Sequence, residues 1–505
     1  MMRSFLGTAG VASLYLLASA HVGSPDTWFE GNAGPYHITV QIEPAGVVPG
    51  VARVFVRADG EVPDLVTVQA NKFDATGGAP PPEPARPVAG DSGLFEGKLW
   101  MMSTGSNSVT VSVSGKEGRG TAVVPVVVVA YSRLELNKPM GIGLAAMGVF
   151  LFAGLVTIVG ATVREASLAP GEASDKARRN RARAAMALTT VIVVGLLTGG
   201  WRWWNSEDRD YAANMYKPLA SRAKMVDGNW VSVTIEDSAW RHRWDSTWLR
   251  RNRGNFWSPL VEDHGKLMHL FLIKEDMGAF AHLHPETRDS VTFRAVAPVL
   301  PNGKYRVYAE IVHESGFTHT LVDSLTYGSG GIDLSTDPAD PDDSQFSGAV
   351  DSGRVFQLDS GMTLEWNRPS AIVAGRPQSL SFMVKNADGT PATLSPYMGM
   401  AGHAVVMRDD GSVFVHLHPN GTFSMASQMA FAMRQPGDTI RGALGKRLTS
   451  AEMSELGRAA PINGSVAFPY AFPKPGRYRI WVQVKHGAKI LTGAFDADVK
   501  VAPAA

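Results

Sequence analysis

One pattern occurs twice in this chain, and it limits the possible folds more than any other feature. The first copy runs Met268-His269-Leu270-Phe271-Leu272-Ile273, a polar turn, then Phe280-Ala281-His282-Leu283-His284-Pro285. The second runs Gly402-His403-Ala404-Val405-Val406-Met407, a polar turn, then Phe414-Val415-His416-Leu417-His418-Pro419. In both, the second histidine follows the first by 13 residues and the third comes two later. Downstream, Gly303-Lys304-Tyr305-Arg306-Val307-Tyr308 aligns with Gly476-Arg477-Tyr478-Arg479-Ile480-Trp481, and His313 or His486 stands eight residues past the first tyrosine. Eight of the 13 histidines fall at these matched positions.

Each copy reads as a β-hairpin. A tight turn at Lys274 to Gly278 sets Ile273 opposite Gly278, Phe271 opposite Phe280 and His269 opposite His282. In the second copy Met407 faces Ser412 and His403 faces His416. Opposed residues share a face of the sheet, and so does the residue two further on. His269, His282 and His284 therefore form one cluster, and His403, His416 and His418 another. A one-residue bulge at Gly411 would flip an arm and split the cluster. Tyr305, Val307, Ala309 and Ile311 share a face with His313, as Tyr478, Ile480, Val482 and Val484 do with His486, so a fourth imidazole is expected at the rim of each core. Converging neutral imidazoles suit Cu(II), Zn or Ni, and thioethers from Met398 and Met400, just before His403, shift preference toward Cu(I). The competing reading is of strand-end histidines that bond the backbone. Matching of four histidines in two diverged copies weighs against it.

Composition narrows the classes. Lys and Arg number 48 against 47 Asp and Glu, which argues against a nucleic-acid binder. The chain has no cysteine, so disulfides and thiolate metal sites are excluded. A Ser/His/Asp order, a Walker loop and a dinucleotide fingerprint are all absent, and no enzyme is expected. His-x-His-Pro-Glu in the first copy resembles a cupin metal motif, but Asn420 stands where the first copy has Glu286, and the glycine spacing of that family is missing.

Taken in order, residues 1–20 carry the charged start, apolar run and Ala18-Ser19-Ala20 of a signal peptide. Cleavage there makes His21 the first mature residue, with an amine and an imidazole able to chelate Cu(II); the plainer reading is a residue near a frayed end. Residues 21–135 alternate as a small antiparallel sandwich. Residues 140–163 are an uncharged run fit to cross a bilayer, and so is the shorter run 184–200, which ends at the aromatic cluster Trp201-Arg202-Trp203-Trp204 and sets a second span at 184–204. The basic loop 164–183 between them belongs in the cytoplasm, which puts both flanking parts outside. Residues 230–327 hold the first module, 328–349 read as a linker, and 354–500 hold the second. The latter carries an insertion, Ser424 to Ala460, with Met425, Met429 and Met433 on one helical face if it is helical, a stripe read as packing in preference to metal ligation.

The modules, with Tyr397-Met398-Gly399-Met400-Ala401-Gly402 ahead of the second and the alternating N-terminal segment, resemble bacterial membrane-anchored proteins of the YtkA-like/FixH-like class. That resemblance implies Ig-like β-sandwiches and an association with copper handling and oxidase-related functions. His21 alone is similar to the amino-terminal ligand of CopC-type copper carriers. The expected fold is mainly β: three Ig-like antiparallel sandwiches plus two transmembrane helices. The expected role is binding of copper, or zinc as second choice, at an inner membrane; the alternative is a structural or assembly factor docking on a membrane protein partner.

Overall fold

The computed structural model describes residues 21–22, 26–73, 78–166, 168–169, 171–242, 258–328, 330–334, 338–348, 350, 353–435, 438, 442–456 and 460–502. The expected signal peptide, 1–20, lies outside them. Strands dominate the chain. It divides into two compact units, Val129–Lys217 and all the rest.

The smaller unit holds two helices, Lys138–Glu165 and Lys176–Asn214. Both are long and apolar enough to cross a membrane. Their extent differs from the apolar runs. The second helix starts within the basic segment, where Asp175 caps it by accepting from the Arg178 amide at 2.6 Å, and it continues past Trp204. Backbone hydrogen bonding does not stop at the edge of an apolar run when Ala, Arg and Lys continue it. The helices touch at Gly160, where an added Cβ would lie 2.6 Å from the Met186 sulfur.

In the larger unit, strands from Thr27–Ala33 to Gly118–Val128 form an eight-stranded antiparallel path. Each repeat then builds two facing sheets. In the first, Val231, Val233, Phe293 and Ala295 from a four-stranded sheet pack against Leu270, Leu272, Ala281, Leu283 and Val307 from a larger one. In the second, Leu364, Phe382 and Phe468 pack against Ala404, Val406, Val415 and Ile480 in the same way. These inner residues are every second one in their strands, as the two-residue period requires.

The alternate residues of the hairpins are just as buried, and this sets the architecture. Phe271, Ile273 and Phe280 of the first repeat form a separate core with Val405, Met407, Phe414 and Trp481 of the second. The two larger sheets therefore pack on each other. Contacts across this interface come in matched pairs. Tyr308 stacks on Phe414 at 3.9 Å between centroids, and its counterpart Trp481 stacks on Phe280 at 5.1 Å. Arg306 donates to the Asp409 carbonyl in the opposite turn, and its counterpart Arg479 donates to that of Met277. The halves are thus related by a pseudo-twofold axis, as in an isologous dimer.

Other segments close the sides. Residues 328–349, expected as a linker, contribute the strand Ser344–Ser347, which pairs with Ala279–His282. The insertion forms the helices Met425–Met433 and Ala443–Leu456. Ala426, Ala430, Leu444 and Leu448 share a small core with Phe73, Val261 and Val312. Met429 and Met433 pack against this core, in the role expected of that stripe.

Candidate metal centre

The hairpin register decides where the imidazoles go. Phe271 pairs with His282 and Ile273 with Phe280; Val405 pairs with His416 and Met407 with Phe414. Both turns are two residues longer than expected. They close through Met277 N–H to Lys274 O and Gly411 N–H to Arg408 O, each 2.8 Å. Met277 and Gly411 are left-handed, with φ of 61° and 73°. An even shift keeps every side chain on its face, so each trio of histidines stays together.

That face looks across the interface, so the two expected clusters form one. Its members are His269, His282, His284, His403, His416, His418 and His264, all at most 5% exposed. The ligand nitrogens of His269, His282 and His284 lie within 4.8 Å of one another, and so do those of His264, His403 and His418. His416 bridges the groups, with ring centroids 4.5 Å from His418 and 5.4 Å from His269.

His264 was not singled out from the sequence, although a signal existed. Asp263-His264-Gly265-Lys266 precedes His269 at the spacing by which Tyr397-Met398-Gly399-Met400 precedes His403. Both segments are tight turns closed by reciprocal backbone bonds, and His264 and Met398 are both left-handed, φ 57° and 49°. Met398 is thus the counterpart of His264 and is buried, while Met400 is half-buried at the turn's end.

His313 and His486 are not brought into the cluster. Phe271 pairs with Tyr308 and His269 with Glu310, so His313 points to the opposite face of the sheet. It stands 5.4 Å from Trp240 and 5.2 Å from His319. His403 pairs with Gln483, which turns His486 away likewise, and His486 is exposed. Glu310 and Gln483 take the places expected of these histidines. Glu310 lies 3.1 Å from Nδ1 of His416, and its counterpart Gln483 lies 2.9 Å from Nδ1 of His282, each across the interface. His21 pairs its backbone in parallel with Val413, three residues before His416.

The hydrogen bonds sort the imidazole nitrogens. Nδ1 of His284 lies 3.0 Å from Asp343, and Nδ1 of His418 lies 2.9 Å from the Phe423 carbonyl. Nε2 of His284, His416 and His418 and both nitrogens of His403 are buried with no hydrogen-bond partner among the described residues. One nitrogen fixed by an outer acceptor and the other left for a cation is the usual arrangement of a metal-bound histidine. Left unpaired, each buried nitrogen costs about 1–3 kcal/mol. Nδ1 of His269 stands 3.1 Å from Nε2 of His282, close to the separation of about 3.3 Å for two nitrogens on one tetrahedral ion with bonds of 2.0–2.1 Å.

Electrostatics keep the rings in the ligand form. Burial, reinforced by neighbouring imidazoles, holds His269, His282, His403 and His416 well below the usual histidine range. Burial likewise pushes His264 and His418 down to about 4. All six are neutral at pH 7 and keep a lone pair. Burial, with Asp263 nearby, raises Glu310 to about 8, and a cation beside it would favour its ionised form. The former linker supplies an acidic rim. Asp340 pairs with Lys266 at 2.6 Å, and Asp342 with Lys485 at 2.8 Å.

Both repeats match the model of a family described as a domain of unknown function, DUF8832, over residues 225–325 and 357–501. No curated protein matches the chain. Among solved structures, the D1–D4 ectodomain fragment of ICAM-5 is 10% identical, covering 93% of this chain and 78% of that one, with a TM-score of 0.16. An endo-fucoidan hydrolase of glycoside hydrolase family 107 is 9% identical, covering 94% and 42%, with a TM-score of 0.13. Scores this low relate neither fold to the present one.

Proposed function

We propose that this is a membrane-anchored, extracytoplasmic protein that binds a transition metal, copper first and zinc second, for buffering, sensing or delivery. The supporting observation is the set of unpartnered, buried, neutral imidazole nitrogens where the two repeats meet. A nitrogen-rich site favours Cu(II) above Zn(II) by the general order of divalent affinities. The two apolar helices provide the anchor, and the basic residues between them fit a cytoplasmic turn. Ig-like sandwiches of the YtkA-like/FixH-like kind are the fold this reading assumes.

A second reading has its own support. The bonds of His416 to Glu310 and His282 to Gln483 tie the repeats together without any ion, as suits an assembly factor docking on a membrane protein partner. Metal loading separates the two. Full-length protein in detergent, stripped with a chelator and loaded with Cu(II) or Zn(II), should retain metal after dialysis against glycine buffer. His282→Ala with His403→Ala should retain less. Retention near zero in the unmodified protein overturns the metal reading and leaves the assembly reading.

A further inference from the structure

The cluster is larger than one ion needs. A tetrahedral ion takes four ligands, whereas seven imidazoles meet here. Their spacing sorts six of them into two triads, with His416 between, its ring 4.5 and 5.2 Å from those of His418 and His403 and 5.4 and 5.5 Å from those of His269 and His282. Ring centroids of His264, His403 and His418 lie 5.2, 5.0 and 5.1 Å apart. Those of His269, His282 and His284 lie 5.3, 5.1 and 4.6 Å apart. Imidazoles bound to one tetrahedral ion through bonds of 2.0–2.1 Å have centroids about 5 Å apart. The shortest ring distances between the triads are longer, 6.1 Å for His264–His269 and 6.4 Å for His282–His403.

Resting on the metal-binding reading above, we infer that the centre holds two transition-metal ions, one in each triad. The first position uses His269 Nδ1, His282 Nε2 and His284 Nε2. The second uses His264, His403 and His418, with His416 Nε2 as a further donor beside it. The positions are not equivalent. The first is built within one repeat, and its outer shell holds the Asp343 carboxylate and Gln483. The second takes His264 from the first repeat and His403 and His418 from the second, so it forms only when the repeats are docked. The neighbouring carboxyl groups of Asp263, Glu310, Asp340, Asp342 and Asp343 outnumber the ammonium groups of Lys266 and Lys485, which would offset part of the charge that two buried cations bring.

The test counts ions in the full-length protein, stripped and then loaded with Zn(II) alone or Cu(II) alone. Two ions per chain are expected. In the Cu(II) form, electron paramagnetic resonance should show a half-field transition from two coupled spins. His284→Gln and His264→Gln, each checked for native circular dichroism, should each keep one ion and give the spectrum of an isolated Cu(II). One ion per chain in the unmodified protein overturns the two-ion inference while leaving metal binding intact, and none overturns both. Loss of both ions in either folded variant, or a magnetically isolated pair in the unmodified protein, also overturns the inference.

Discussion

At His416, three demands meet in one side chain. Its backbone pairs with Val405 inside a hairpin, Nδ1 faces Glu310 across the interface, and Nε2 faces the other imidazoles. Outer partners of this kind orient a ligand, and removing them typically weakens metal affinity 10–100-fold. If the cluster binds metal as proposed, Glu310→Ala should lower affinity by that factor in a competition titration, with the chain still folded. Glu310→Gln should lower it less, because the matched residue beside His282 is already a glutamine, Gln483. Equal losses in the two variants would sink this account. From the sequence, the hairpin trios were legible because residue parity survives an even change of register. The same parity rule, applied across to the neighbouring strand, removes His313 and His486. What misled was the pairing between strands: one strand's inner face was visible, but not that its outer face is buried too.

Among the elements, the two hairpin turns show how unlike residues fill one geometry. Gly411 accepts a left-handed backbone without cost, whereas Met277 bears roughly 1–2 kcal/mol of strain in the same conformation. Yet Met277 is 4% exposed and belongs to the core between the repeats. Truncating a buried methionine costs about 2–5 kcal/mol, so burial outweighs strain. Met277→Gly should destabilise the protein by about 1–3 kcal/mol in urea unfolding; a rise in the unfolding midpoint would contradict this. The turn length was not legible, since it depends on which residue goes left-handed, and a methionine gives no such cue. The acidic segment was misread for a related reason. Its composition is that of a linker, but Asp343 earns its place through a histidine elsewhere in the chain.

For the whole molecule, the apolar helices and the strand-rich remainder were legible in composition and period. The interface was not, because no single strand announces which sheet will face it. The topology proposed here has a direct check: a reporter fused at Arg179 should be active only in its cytoplasmic format, and periplasmic activity there would reverse the assignment. The pseudo-twofold has a consequence for heredity. In a symmetric homodimer, one codon change alters both halves of a shared centre at once. Here both halves lie in a single reading frame, so each position can drift alone. His264 opposite Met398, and Glu310 opposite Gln483, are differences that a self-pairing chain could never have kept.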